Sequence, residues 1–294
     1  MALVAAVAVL ALGFSAGVLG SSGVPVPTYH RYVALGDSFT AAPFVPLTDV
    51  AYGCYRSTRN YPHLLADALH VDHLRDRSCT GASTADMLGR QVTGRGMSVP
   101  PQLDALDRHT DLVTLGLGFN EAHLYARMNT VCRRSDRVCP LYDQRSTLGA
   151  IVDRVGPALE SVIDLVRERA PRARILLVTY PRLLPARGSC PALPRFRPQD
   201  RTTYRDVQLR LRDQMRTAAR HAHVELVDFY TASIGHDICA PHPWVQGKVG
   251  SRFRGAALHP LAGGESALAR IIEALLSRPA PDWTRGSPTG SPTG

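Results

Sequence analysis

The feature that most narrows the folds open to this chain is an alternation of short apolar runs with longer stretches of helical spacing. The runs are Tyr32 to Leu35, Leu112 to Leu115, Ile175 to Thr179 and Val224 to Val227. None shows the strict polar alternation of a strand with one wet face, so they read as parallel strands covered on both sides. Between them, Asn60 can cap a helix running through Leu69, with Pro62 tolerated in its first turn. Ser146 to Ala170 places Ile151, Val155, Leu159, Val162, Ile163 and Val166 on one helical stripe, and Pro171 marks its end. Thr203 to His221 and Ala262 to Leu276 complete the helical set. Strands alternating with helices of this length specify an α/β fold, a three-layer α/β/α sandwich around a mainly parallel sheet.

Two stretches interrupt the rhythm. Met128 to Gln144 and Leu183 to Asp200 are rich in Arg, Pro and Cys, and are expected to be long loops over one rim of the sheet. Ligand sites in open α/β sheets lie at the carboxyl ends of strands, so these loops are candidate cleft walls. From Pro279 onward the chain is a Pro, Ser, Thr and Gly tail with a repeated Ser-Pro-Thr-Gly at 287–290 and 291–294, expected to be disordered. The division is therefore an N-terminal segment 1–23, one domain over 24–278 and the tail 279–294.

Met1 to Gly23 runs uncharged through Leu3, Val7, Leu10, Phe14 and Leu19 before small residues appear. It reads as a secretion signal, with Val18 and Gly20 suited to small-residue recognition and a mature start near Ser21. No Lys or Arg precedes the apolar run, and about nineteen residues is long enough to span a bilayer, so an uncleaved anchor is the alternative.

The six cysteines, Cys54, Cys79, Cys132, Cys139, Cys190 and Cys239, are an even number in a chain that reads as exported. Disulfides follow, and sequential pairing is the most economical of the possible arrangements. No CxxC pair occurs, which argues against zinc. The formal charge of +9 comes almost wholly from arginines spread along the chain in no run longer than two. That distribution is a solvated, mildly cationic surface rather than a nucleic-acid site, although it favours weak association with an anionic membrane or envelope polymer.

Ser38 lies in Gly36-Asp37-Ser38-Phe39-Thr40, directly after the first strand, where a small residue lets the backbone turn and present a hydroxyl at the strand's carboxyl end. A serine is a weak nucleophile unless a base takes its proton and donors receive the negative oxygen formed on acyl attack. Taken alone, Gly-Asp-Ser is also what an ordinary turn looks like. Three further places change the reading: Gly81 in Ser78-Cys79-Thr80-Gly81-Ala82-Ser83, Asn120 in Gly118-Phe119-Asn120, and His259-Pro260.

These four blocks, in this order, resemble those of the SGNH hydrolases, also called the GDSL esterase/lipase family. The resemblance spans roughly residues 31 to 276. It is closest to the secreted actinobacterial lipases and esterases with three sequential disulfides, partly through His236-Asp237-Ile238-Cys239 and Pro243-Trp244-Val245. It implies a flavodoxin-like SGNH fold, Ser38 as acyl acceptor, His259 as general base, and an oxyanion hole built from the backbone N–H groups of Ser38 and Gly81 with the side-chain amide of Asn120. It implies no metal and no cofactor, a small-molecule or lipid ester as substrate, and a monomer. His242, which also precedes a proline, is the rival histidine.

The chain departs from the family pattern twice. Many members carry an aspartate three residues before the histidine, where this chain has Ala256. The Ala256 carbonyl is one alternative partner for the imidazole, and a distant acid such as Asp237 another. Glu121 and Phe119 stand where an aspartate and a second glycine are common, and Phe119 is expected to narrow or grease the cleft. These departures motivate two competing readings: a non-catalytic envelope protein that binds glycan or lipid in a degenerate cleft, and a hydrolase acting on acetylated sugars or thioesters.

Overall fold

A computed structural model describes residues 27–282 apart from 131 and 133–137. The N-terminal apolar segment and the repeated tail, expected to be a secretion signal or anchor and a disordered end, lie outside the described residues. Five strands make the central sheet: β1 (Arg31–Gly36), β2 (His73–Asp76), β3 (Leu112–Gly116), β4 (Arg174–Val178) and β5 (Glu225–Val227). Their spatial order is β2-β1-β3-β4-β5, and every pairing is parallel. The chain winds from β1 outward to β2 and then crosses back to β3. The carboxyl ends of β1 and β3 therefore flank the point where winding reverses, the usual place for a ligand in such sheets.

Successive strand residues face opposite layers, and the chain is apolar on both. Val33, Leu35, Val113, Leu115, Ile175 and Leu177 enter one core with helices α4 (Val155–Arg169) and α5 (Pro198–His221). Tyr32, Ala34, Leu112, Leu176 and Val178 enter the other with α2 (Tyr61–Ala68) and α6 (Ala262–Leu276). Burying each of the larger side chains contributes about 1.5–3 kcal/mol, which makes the two cores the main source of stability.

The structure departs from the sequence reading in three places. The helix expected over 146–170 is two, α3 (Arg145–Val152) and α4. Pro157 is tolerated only in a first helical turn, so the chain breaks and restarts at Val155. Helix α5 begins at Pro198, five residues before the expected Thr203, because proline is suited to the first helical position. The edge strand β2 was not distinguished by its composition. It reads His-Leu-Arg-Asp because one of its sides is unpaired and mostly exposed.

The cysteines pair sequentially, Cys54–Cys79, Cys132–Cys139 and Cys190–Cys239. Among the described residues no helix is long and apolar enough to cross a membrane.

Candidate active site

Ser38 is placed by a turn that tolerates no side chain at its start. A Cβ on Gly36 would stand 2.2 Å from Thr40 Oγ1 and 2.8 Å from the Gly116 carbonyl. Gln102 clamps the same residue, accepting from Gly36 N–H at 2.8 Å and donating to its carbonyl at 2.9 Å. The Asp37 N–H then donates to Gly116 O at 3.0 Å, and the Asp37 carboxylate caps the short helix α1 (Ser38–Ala41) by accepting from Phe39 N–H at 2.8 Å. Ser38 emerges at the carboxyl end of β1, almost buried.

His259 comes from the loop before α6, and its Nε2 lies 2.8 Å from Ser38 Oγ. Its other ring nitrogen, Nδ1, is 2.8 Å from the carbonyl oxygen of Ala257. A carbonyl only accepts, so Nδ1 carries the proton and Nε2 is left with a lone pair for the serine hydroxyl. The Tyr125 hydroxyl sits beside this bond, 3.1 Å from Ala257 O and 3.2 Å from Nδ1. Phe39 stacks on the imidazole at 4.9 Å between ring centres.

The carbonyl that supports the ring is therefore Ala257, not Ala256. The Ala256 carbonyl accepts from the His259 backbone N–H at 3.2 Å, closing a tight turn that leaves the next carbonyl facing the ring. Leu258, inside that turn, has a φ of 60°, a conformation unfavourable for leucine that the surrounding bonds hold in place. The Asp237 carboxylate, the other alternative, is engaged elsewhere, accepting from the Cys239 N–H at 2.9 Å. His242 is exposed, and its carbonyl is 2.8 Å from His236 Nδ1.

The other two motif residues arrive on loops bonded to this frame. Cys79 N–H donates to Gly36 O at 3.0 Å, which seats the Gly81 loop beside the end of β1. Gly81 has a φ of 84°, which glycine adopts freely. Asn120 donates through Nδ2 to Ala82 O at 3.0 Å, and this fixes the amide against that loop while one N–H of the same nitrogen remains. Among the described residues no protein acceptor takes the backbone N–H of Ser38 or Gly81.

Neighbours of the motif residues organise the site, among them Thr84 and Tyr180, which no motif marked. Glu121 accepts from Thr84 N–H at 2.7 Å and from its hydroxyl at 3.0 Å, joining the Asn120 and Gly81 loops. Phe119, expected at the cleft, is instead fully buried, packed against Phe39, Tyr125 and Tyr180. Its backbone N–H donates to the Tyr180 hydroxyl at 2.8 Å, which donates to Asp37 Oδ2 at 2.6 Å. Burial pushes the Asp37 carboxyl up to about 7, against the opposing pull of the Tyr180 and Phe39 donors.

A parallel sheet that turns a hydroxyl and an oriented imidazole toward each other at its switch point defines a class, the α/β serine-type acyl hydrolases. Within it, this chain belongs to the GDSL-like Lipase/Acylhydrolase family, matched over residues 34–267, and it is a carboxylic ester hydrolase. It is 36% identical over 280 residues to a protein named Lipase 2 from Streptomyces coelicolor, covering 91% of this chain and 93% of that one. Among solved structures, it is similar to a phospholipase A1 from Streptomyces albidoflavus NA297, with a TM-score of 0.70, 27% identity and coverage of 84% and 99%. An extracellular lipase from Streptomyces rimosus has the same TM-score, 26% identity and coverage of 83% and 99%.

Proposed function

We propose that this hydrolase works through a Ser38 acyl-enzyme, with His259 as its general base, on the acyl esters of lipids outside the cell. The observation that carries the proposal is the 2.8 Å approach of His259 Nε2 to Ser38 Oγ, with Nδ1 committed to a carbonyl. In the first step the serine oxygen bonds to the ester carbonyl carbon as its proton passes to Nε2. The resulting oxyanion is received by the N–H groups of Ser38 and Gly81 and the Asn120 amide. Loss of one such donor costs on the order of a hundredfold to a thousandfold in rate. The tetrahedral species collapses, the alcohol leaves with the proton from Nε2, and water repeats the sequence to release the acid.

The lipid substrate is supported by the relatives, one described as a phospholipase A1 and others as lipases. Export is supported by the extracellular description of the Streptomyces rimosus lipase and by three disulfides, which persist in oxidising compartments. Under this reading the apolar N-terminal segment is cleaved near Ser21, and the mature protein acts as a monomer. The test is a fluorophosphonate probe on the active protein, followed by peptide mapping. The expected adduct is on Ser38, with ester turnover abolished in Ser38→Ala; an adduct elsewhere, or turnover unchanged in that variant, overturns the assignment.

A further inference from the structure

Three loops surround the site, and each is tied by a hydrogen bond close to one of its residues. The hairpin over 91–99 is held by Gln91, whose Nε2 donates to the carbonyl of Thr80 at 3.0 Å, one residue before Gly81. The segment 248–255 leads into Ala256, whose N–H donates at 2.9 Å to the Pro43 carbonyl, five residues after Ser38. The segment 44–53 continues from Pro43 and abuts the hairpin, since a Cβ on Gly53 would stand 2.5 Å from Thr93 Oγ1. The tips of all three expose large apolar side chains: Leu47 (75%), Tyr52 (58%), Val92 (71%), Met97 (43%), Val249 (70%) and Phe253 (82%). A soluble surface gains nothing from such a concentration of exposed apolar side chains.

The charges interleaved with these tips are mostly positive. Arg95, Lys248, Arg252 and Arg254 lie on the same segments, with Arg90 just before the hairpin, and Asp49 is the acidic residue among them. Among the described residues Arg95, Arg252 and Arg254 have no carboxylate partner, whereas arginines elsewhere on the surface are widely paired. Exposed apolar tips set among unpaired cations are the composition that enters the headgroup boundary of an anionic bilayer.

We propose that this rim is a docking surface for anionic phospholipid membranes, with Leu47, Val92, Val249 and Phe253 inserting and the cations contacting phosphate. It deepens the lipid-ester reading above and rests on it for the identity of the substrate, but the docking itself needs no turnover. A lipid in the bilayer is then presented to Ser38 without first leaving the membrane.

The experiment uses protein recovered from the medium of a secreting host and carrying Ser38→Ala, so that vesicles are not consumed. Sedimentation with phosphatidylglycerol/phosphatidylcholine vesicles should show binding that falls on the order of tenfold in Leu47→Asp/Phe253→Asp. A similar fall is expected in Arg252→Gln/Arg254→Gln, or with pure phosphatidylcholine. Thermal midpoints should stay unchanged, since these side chains are exposed. As a second arm, Phe253→Trp should show blue-shifted emission quenched by brominated lipid, relative to the parent. Undiminished binding by the Asp variants, or a tryptophan at 253 that remains water-exposed on vesicles, overturns the proposal. Neither result bears on whether Ser38 is the acyl acceptor, which the fluorophosphonate test decides alone.

Discussion

The carbonyl oxygen of Ala257 lies 2.8 Å from Nδ1 of His259, where many serine hydrolases place a carboxylate. A carbonyl fixes the ring tautomer but would bring no full charge to the imidazolium of the proposed acylation step. The Tyr125 hydroxyl, within reach of both atoms, adds a second dipole at the same point. Tyr125→Phe is therefore expected to lower kcat by about threefold to tenfold, the worth of one ordinary hydrogen bond, with KM little changed. Asp237→Asn should leave kcat within about twofold, because that side chain serves the Cys239 turn. Steady-state kinetics on a soluble ester separates the two, and a larger loss in Asp237→Asn than in Tyr125→Phe would show that the acid reaches the ring during turnover.

Asn120 has a structural tie and a free N–H on one nitrogen, so its removal has two separable effects. Asn120→Ala should lower kcat on the order of a hundredfold to a thousandfold through loss of an oxyanion donor. The bond to Ala82 O is lost as well, and that part should appear as a loss of stability of about 1 kcal/mol in denaturant titrations. Asn120→Asp keeps the size but replaces the donor with an acceptor, and should be at least as inactive. Retention of full kcat in both variants would remove Asn120 from the oxyanion hole.

Much of this arrangement was legible in the chain because each motif residue is demanded by its own chemistry or backbone. Gly36 leaves no room for a Cβ, Gly81 adopts a positive φ, and the amide of Asn120 donates while staying neutral. The four buried strands were equally plain, being apolar toward both layers. What could not be read was long-range. Tyr125 is one of ten tyrosines, and only the fold brings it to a histidine 134 positions away. The shift from Ala256 to Ala257 depends on a turn that leaves one carbonyl facing the backbone and the next facing the ring. The edge strand β2 hides because exposure lets it be polar, and Pro157 divides a helix whose apolar stripe runs on without interruption.

Asp37 connects the turn that carries Ser38 to pH. Its carboxyl is raised from 3.8 to about 7 by burial, so the folded protein holds that proton more tightly than the unfolded chain. The stabilisation is fully present below about pH 4 and is lost as pH rises through about 7, amounting to on the order of 4 kcal/mol at most. Asp37→Asn has no such proton. Denaturant titrations of both proteins from pH 4 to 8 should give a stability difference, parent minus variant, that declines with pH across this window. A difference that stays flat would mean that the Tyr180 and Phe39 donors keep Asp37 ionised throughout.

Two of the disulfides should separate stability from catalysis. Cys54–Cys79 closes 25 positions and Cys190–Cys239 closes 49, so loop-closure entropy assigns each about 3.5–4 kcal/mol, nearly the same amount. Their surroundings differ. Thr80, one residue before Gly81, is bonded to the Cys54 carbonyl through both its N–H at 3.1 Å and its hydroxyl at 2.8 Å, so the first bridge also fixes the backbone that points Gly81 at the site. The second bridge is more remote: from Cys239 the chain runs seven positions before Gln246, whose N–H donates to the His259 carbonyl at 2.8 Å. Paired alanine substitutions should therefore lower the thermal midpoint by similar amounts, whereas kcat on a soluble ester, measured well below either midpoint, should fall about tenfold or more only for Cys54→Ala/Cys79→Ala. Equal kcat losses in the two variants would mean that the Gly81 loop keeps its shape without the nearby bridge, held instead by its bonds to Gly36, Asn120 and Glu121.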